Sequence, residues 1–294
     1  MFNPIDQPAR CEQYLSHFLE ASVKLIKAEK LQQSSREAPW RLDTLVNGLE
    51  RSFVLQVDAR GMEHEYRVLK AMEAIPIPTP CAYGLDLAGE FMGIASFFED
   101  FIQGEPLLGP VLRGDSWAED LFIETVCALQ AVTDEQLGEV AHTLERYDTS
   151  DVLEDSYSRL KDSALPLVDT MYQALKSRMP DRPEVKFSNG DLWLENFIVQ
   201  GQKLAGVIDF QGASFTDPIY EFLLSFFVSP ELHGRGIEER FCRRIGQDPC
   251  ILGWYRGLEF FETYRYVLLS GKNFVHHSPA SLEADMESWL ETTA

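Results

Sequence analysis

The chain of 294 residues is long enough to bury a sizeable core and fits one large domain or two modest ones. Hydrophobic residues make up 45% of it, which excludes a disordered chain, and no apolar run reaches the ~20 residues of a membrane-spanning helix. The net charge of −21 argues against a nucleic-acid partner and leaves two interpretations open, plain solubility or a preference for a cationic substrate.

The five cysteines are scattered along the chain, and none shows metal-ligand spacing. Such an odd, scattered set is typical of reduced thiols, since disulfides form in oxidising compartments. The first residues, Met1–Asp6, show no basic stretch followed by an apolar one, so no signal peptide is predicted. We therefore expect a cytoplasmic protein with no nucleic-acid or membrane partner.

The first hundred residues are rich in side chains that favour β-structure. After a predicted helix over residues 8–22, five runs of alternating or apolar residues predict an antiparallel sheet. Between two of these runs, Asn47 followed by Gly48 indicates a tight hairpin. The predicted strands cover residues 23–27, 40–46, 51–57, 81–87 and 91–98.

A helix is predicted over residues 60–74, with Met62, Leu69 and Met72 on one apolar side. Glu65 falls on that same side. A carboxylate on a buried face is unfavourable unless it has a partner, so Glu65 either meets a specific partner or lies at the rim in water.

After Gly104 the sequence is mainly helical, with one exception. Asp191, Asn196 and Asp209 flank a predicted β-hairpin over residues 197–209, and that topology brings the three side chains together. Two carboxylates and a carboxamide suit Mg²⁺, a cation that takes oxygen ligands. The alternative is that these polar residues only cap turns.

Three short motifs are together more specific than any one of them: Asn189-x-Asp191-x4-Asn196, Ile208-Asp209-Phe210 and Asp217-Pro218. The set resembles the aminoglycoside phosphotransferase family, which belongs with the choline-kinase-like and protein-kinase-like phosphotransferases. That family usually has a His where this chain has Asn189.

The resemblance implies an α+β, bilobal, protein-kinase-like fold. A small antiparallel-sheet lobe over residues 1–103 would bind the nucleotide, and a larger, mainly helical lobe over 104–294 would contain the catalytic and acceptor sites. The implied enzyme is a kinase that uses Mg²⁺ and ATP, with GTP as the alternative nucleotide. It would move the γ-phosphate to a hydroxyl group of a small molecule, such as an aminoglycoside, a choline-like or a sugar-like acceptor.

By the same resemblance, Asp191 is expected to orient the acceptor hydroxyl and take its proton. Asn196 and Asp209 are expected to hold Mg²⁺. Asn189 is expected to fix the loop through hydrogen bonds to the backbone, in place of the usual His. Asp217 is predicted to cap the next helix, and the family implies that it also braces the catalytic loop.

The resemblance assigns nucleotide contacts to two segments of the first lobe. In this family the loop between the first two strands covers the phosphates. Here it contains no glycine, and Ser34 and Ser35 are expected to reach phosphate, with a plain polar loop as the equal alternative. Glu99, Asp100 and Phe101 match the linker where backbone groups meet the adenine edge.

One position departs from the family pattern. The family has a Lys or Arg on the third strand that pairs with the helix Glu, here Glu65, and holds the phosphates. This chain has Gln56 there, which donates a hydrogen bond but brings no charge. Either another cation, Arg41 or Arg60, replaces it, or the chain is a pseudokinase that binds nucleotide or another ligand without transfer.

Overall fold

The computed structural model describes residues 3–31, 39–58, 60–163, 165–181 and 183–293. These residues form an α+β structure with a small lobe built on an antiparallel sheet and a larger, mainly helical lobe. Ser34 and Ser35, for which phosphate contacts are expected, lie outside the described residues. No helix of the described part has the length and apolarity that crossing a bilayer requires.

The sheet of the small lobe has five antiparallel strands: β1 (Val23–Lys30), β2 (Trp40–Val46), β3 (Leu49–Val57), β4 (Ala82–Asp86) and β5 (Ser96–Asp100). Their order across the sheet is β1-β2-β3-β5-β4. The predicted hairpin between β2 and β3 is confirmed, because Asn47 and Gly48 both have positive φ, at 50° and 85°, as a type I′ turn requires.

The predicted strand over residues 91–98 is wrong at its start, since β5 begins only at Ser96. The Asp86 carboxylate accepts hydrogen bonds from the backbone N–H groups of Glu90 (3.0 Å) and Phe91 (2.9 Å), which closes this stretch into a turn. The alternation of apolar side chains does not reveal such a local capture of backbone donors.

Two helices cover the sheet, α1 (Pro8–Leu19) and α2 (Met62–Met72). Phe97 and Phe98 are neighbours in β5 and therefore point to opposite faces of the sheet. Phe98 packs in the cluster that includes Tyr14 of α1, whereas Phe97 and α2 belong to the core of the larger lobe. Helix α2 thus connects the sheet to the large lobe.

The large lobe has its core among aromatic and aliphatic side chains, where the rings of Phe122 and Phe222 stack at 5.0 Å. Its helices are α3 (Leu108–Arg113), α4 (Ser116–Gln130), α5 (Asp134–Leu137), α6 (Thr149–Leu160), α7 (Pro166–Ser177), α8 (Pro218–Val228), α9 (Ile237–Arg244), α10 (Leu252–Ser270) and α11 (Pro279–Thr293).

Two small sheets position the predicted motifs. They consist of β6 (Glu105–Pro106) with β8 (Phe197–Gln200) and β9 (Lys203–Val207), and of β7 (Lys186–Ser188) with β10 (Ser214–Thr216). The predicted hairpin is confirmed as β8 and β9. Asp217 caps α8, because its carboxylate accepts from the N–H groups of Ile219 (2.9 Å) and Tyr220 (3.2 Å).

Candidate active site

A cleft of about 860 Å³ is lined by residues of both lobes, a size in the range of small-molecule sites. Apolar side chains from both sides line it, including Val54 and Ile198. Seven of the residues predicted to bind nucleotide or metal line this cleft: Gln56, Glu65, Glu99, Asp100, Phe101, Asn196 and Asp209.

Asp191 adjoins the cleft through Asn196. The Asn196 amide nitrogen donates to the Asp191 carboxylate (Nδ2 to Oδ2, 2.9 Å) and to the Asp191 carbonyl oxygen (3.0 Å). The Ile208 N–H donates to the carbonyl oxygen of Asn196 (2.9 Å), which fixes the loop to the hairpin. Because the Asn196 amide nitrogen donates to Asp191, the amide oxygen Oδ1 is the atom that can bind a cation.

Asn189 is fully buried behind this loop. Its Nδ2 lies within hydrogen-bond distance of three carbonyl oxygens, those of Asp191 (3.0 Å), Ile208 (3.3 Å) and Asp209 (3.1 Å). One amide group thus ties the Asp191 loop to the end of the hairpin. The prediction that Asn189 fixes the loop through backbone hydrogen bonds is confirmed.

The backbone around both aspartates is unusual. Asp209 has a φ of 61°, in the left-handed region that few residues other than glycine adopt and that is often found at functional sites. Gly190 has a φ of 82°, and a Cβ at this position would collide with the carbonyl oxygen of Gly212. Glycine at position 190 therefore lets the segments that contain Asp191 and Asp209 touch.

Glu65 reaches the same segment from α2. It is 5% exposed, so the alternative of a rim position in water is wrong. Its Oε1 accepts a hydrogen bond from the backbone N–H of Phe210 (3.3 Å). Burial, together with the charge of Asp209, raises the pKa of Glu65 to about 7.

The pair formed by Gln56 was not predicted. Gln56 Nε2 donates to Glu99 Oε1 (3.4 Å), across the neighbouring strands β3 and β5. Glu99 is 7% exposed. Burial, followed by the charge of Glu65, holds the pKa of the Glu99 carboxyl well above its ordinary value. Glu99 is expected to act through its backbone, and its side chain also lines the cleft.

The linker role of Asp100 and Phe101 stays a prediction, but their backbone N–H groups already have acceptors. The Asp100 N–H donates to the carbonyl oxygen of Cys81 (3.0 Å), and the Phe101 N–H donates to that of Ser52 (3.1 Å). Both donors are used inside the small lobe, so neither is left for an adenine ring. Ile102 is the next residue along the chain that lines the cleft.

Asp217 does not brace the loop in the way that the resemblance implies. Its second oxygen accepts from the Tyr255 hydroxyl (2.7 Å), which ties α8 to α10. The brace is Ser225 instead: its Oγ accepts from the Leu194 N–H (3.1 Å) and donates to the Leu192 carbonyl oxygen (2.8 Å). A serine in an otherwise apolar stretch of α8 is the sequence signal that was missed.

Glu221 lies one turn before Ser225 and accepts a hydrogen bond from the Tyr147 hydroxyl (3.3 Å). Burial raises the pKa of Glu221 to about 7, and the charge of Asp191 acts in the same direction. Burial also raises the pKa of Asp191, opposed by its hydrogen bond from Asn196. Asp191 therefore lies close enough to two other carboxyl groups, those of Asp209 and Glu221, for their charges to interact.

The donor atoms fit a Mg²⁺ ion shared with a nucleotide. No group of three His, Cys, Asp or Glu side chains in the described ranges is arranged to hold a metal ion by itself. Asn196 and Asp209 offer a carboxamide oxygen and a carboxylate at the cleft. Mg²⁺ typically takes one or two carboxylates and completes its shell with phosphate oxygens and water.

Solved structures share this fold. A thermostable mutant of aminoglycoside phosphotransferase APH(4)-Ia, in ternary complex with AMP-PNP and hygromycin B, is 18% identical with a TM-score of 0.69, and the match covers 97% of this chain and 98% of that one. Choline kinase LicA from Streptococcus pneumoniae is 14% identical with a TM-score of 0.62, over 98% and 99% of the two chains. The α+β, bilobal, protein-kinase-like fold is thereby confirmed.

Sequence comparison identifies the family. Acyl-CoA dehydrogenase family member 10 from Mus musculus is 22% identical over 211 residues, 66% of this chain, and the chain spans about a fifth of that protein's length. The model of the phosphotransferase enzyme family matches residues 40–259, about three quarters of the chain. The chain therefore belongs to the phosphotransferase enzyme family.

Proposed function

We propose that this protein transfers the γ-phosphate of ATP, in the presence of Mg²⁺, to a hydroxyl group of a small molecule. The proposal rests on the hydrogen bond between Asp191 and Asn196 (2.9 Å) at the edge of the cleft that Asp209 also lines. Residues 1–103 bind the nucleotide, and residues 104–294 contain the catalytic and acceptor sites.

Asp191 is the base in this proposal. The acceptor hydroxyl gives its proton to the Asp191 carboxylate while its oxygen attacks the γ-phosphorus, and the bond from that phosphorus to the β,γ-bridging oxygen breaks to release ADP. Burial raises the pKa of Asp191, which makes it a better proton acceptor than an exposed aspartate. The amide of Asn196 holds the carboxylate in place.

Asn196 and Asp209 hold the Mg²⁺. A bound Mg²⁺ neutralises the charge of the β- and γ-phosphates and orients them. The chain's contribution is to present the two ligand side chains from a fixed backbone. Asn189 supplies this fixation, since it donates to the carbonyl oxygens that precede and follow the turn at Asp209.

The nucleotide base lies between apolar side chains of the two lobes, Val54 from the sheet and Ile198 and Ile208 from the hairpin segment. Its hydrogen-bond donor is the N–H of Ile102, because those of Asp100 and Phe101 are used within the small lobe. Contacts of Ser34 and Ser35 with the phosphates stay a prediction.

The acceptor is a hydroxyl-bearing molecule, cationic or neutral. The net charge of −21 and the buried carboxylates around Asp191 support this choice. Among the solved structures with the same fold, one is an aminoglycoside phosphotransferase in complex with hygromycin B and another is a choline kinase. Aminoglycosides, choline-like amino alcohols and sugars are therefore the acceptors to test. The cytoplasmic location stays a prediction.

A second candidate function, nucleotide or ligand binding without transfer, is favoured by one observation. Gln56 brings no charge to the cleft, and its amide is paired with Glu99 (3.4 Å). Against it stands the connected arrangement of Asp191, Asn196 and Asp209, which nucleotide binding alone does not require.

The two functions are separated by one screen. The melting temperature of the purified protein is measured with Mg-ATP, Mg-GTP and ATP in EDTA, and then with Mg-ATP and each acceptor, while ADP release is followed in parallel. We expect a shift with Mg-ATP that EDTA reduces, and ADP release with at least one acceptor. A shift without ADP release for any acceptor favours the pseudokinase, and no shift at all contradicts both functions.

A further inference from the structure

The cleft has few positive charges for a ligand that is a polyanion. Among the described residues that line it, Arg60 is the one cation. A nucleotide triphosphate adds negative charge to this environment, and Mg²⁺ offsets only part of it. The carboxylates that line the cleft are Asp58, Glu65, Glu99, Asp100, Glu195 and Asp209.

Position 56 on β3, where the resembled family has a Lys or Arg, supplies no positive charge. The Gln56 amide is neutral, and its nitrogen lies 3.4 Å from Glu99 Oε1. Arg41, one of the two arginines that sequence reasoning offers as a substitute, is engaged elsewhere. Its Nε lies 2.8 Å from the Asp43 carboxylate, its guanidinium lies over the ring of Phe101 at 4.3 Å, and it does not line the cleft.

The backbone that follows Arg60 lies against residues 210–211, which come directly after Asp209. A Cβ on the next residue, Gly61, would lie 3.0 Å from Cγ of Gln211 and 3.6 Å from its carbonyl oxygen. The Glu65 N–H donates to the Gly61 carbonyl oxygen (2.9 Å), and the Glu65 carboxylate accepts from the Phe210 N–H (3.3 Å). The start of α2 is therefore fixed beside residues 210–211, directly after Asp209.

We propose that Arg60 supplies the phosphate-binding cation that strand β3 lacks. The proposal rests on the proposed nucleotide-dependent function. Arg60 lines the cleft and forms no ion pair with the described residues. Its planar guanidinium can bind two phosphate oxygens at once, which a lone Gln amide cannot replace.

Binding measurements test the role of the charge. Calorimetry gives the Kd for Mg-ATP and for adenosine in the wild type, Arg60→Gln, Arg60→Lys and Arg67→Gln. Arg67 is a matched control, since it lies on α2 but pairs with exposed Glu63. We expect Arg60→Gln to weaken Mg-ATP binding about 10- to 100-fold without changing adenosine binding, Arg60→Lys to retain most of the affinity, and Arg67→Gln to match the wild type.

A double variant tests whether a cation at the usual strand position can replace Arg60. In the double variant Gln56→Lys with Arg60→Gln, a cation returns to the usual strand position, and we expect Mg-ATP affinity within about threefold of the wild type. The same recovery is expected in the KM for ATP, with kcat changed less than KM.

Three results would overturn the proposal while leaving the proposed function intact. They are an Arg60→Gln variant that binds Mg-ATP as the wild type does, an equal loss of Mg-ATP and adenosine binding, and a loss that appears in Arg41→Gln but not in Arg60→Gln. A wild-type protein that binds no nucleotide overturns the proposed function and this proposal with it.

Discussion

The two walls of the cleft differ in how their polar groups are held. On the hairpin side, Asp191, Asn196 and Asp209 are joined through backbone and side-chain hydrogen bonds, with Asn189 at the centre. On the sheet side, Gln56 meets its partner only through side chains, across two strands. A substitution on the hairpin side disturbs hydrogen bonds that hold the backbone, so few substitutions are tolerated there. A pair of side chains on a sheet can be replaced without altering the strands.

The difference explains why the family motif is nearly intact in one lobe and altered in the other. The Gln56 side chain lines the cleft beside Glu99 of β5, and its hydrogen bond there is between side chains. Asp209 needs a left-handed backbone with φ of 61°, which the surrounding hydrogen bonds impose. We therefore expect the largest functional effects on the hairpin side.

The largest effect is expected for Asp191→Asn. Without a carboxylate to accept the proton, the rate of phosphoryl transfer should fall by about 10²- to 10⁴-fold or more. Binding of Mg-ATP should stay close to that of the wild type, because Asp191 does not line the nucleotide cleft. Steady-state ADP release and calorimetry measure the two quantities. The exposed Asp181→Asn serves as a control, and unchanged turnover in Asp191→Asn would reject the base assignment.

Asp209→Asn should act on binding as well as on turnover. Loss of a charged oxygen ligand is expected to weaken Mg-ATP binding about 10- to 100-fold, while ATP in EDTA binds as weakly as it does to the wild type. Calorimetry with and without Mg²⁺ checks this. If the variant keeps the full difference between the two conditions, Asp209 is not a metal ligand.

The hairpin side was also the more predictable from sequence. The hairpin around Asn196 and Asp209 follows from apolar runs and turn residues, which are local signals. The pairing of Gln56 with Glu99 is not local, because it depends on which strands become neighbours. The capture of backbone donors by Asp86 and the brace by Ser225 likewise leave only a weak trace in the sequence.

Glu221→Gln should change how stability depends on pH. In the folded protein burial raises the pKa of Glu221 to about 7, so the folded state binds a proton that the unfolded state has released above its ordinary value of 4.5. Stability therefore falls as pH rises between these values, by up to about 3 kcal/mol from this group. The variant should remove that part of the decline.

Urea unfolding at pH 5 and pH 8 measures the effect, with the exposed Glu287→Gln as a control. The Gln side chain retains an oxygen that accepts from Tyr147, so the comparison isolates the charge. A decline as steep in Glu221→Gln as in the wild type would show that the Glu221 carboxyl does not titrate in this range.

The smallest effect is expected for Asn189→His, which restores the residue usual in the family. The Asn189 amide shares its N–H groups among the carbonyl oxygens of Asp191, Ile208 and Asp209, and imidazole can donate to at least one of them. A net loss of one neutral hydrogen bond amounts to about 0.5–1.5 kcal/mol, so turnover should stay within about tenfold of the wild type.

The companion variant Asn189→Ala leaves all three oxygens without this donor and should destabilise the protein by about 1–3 kcal/mol. Turnover and urea unfolding of both variants check the argument. Equal losses in the two would mean that the amide itself, rather than any donor at this position, holds the two aspartates together.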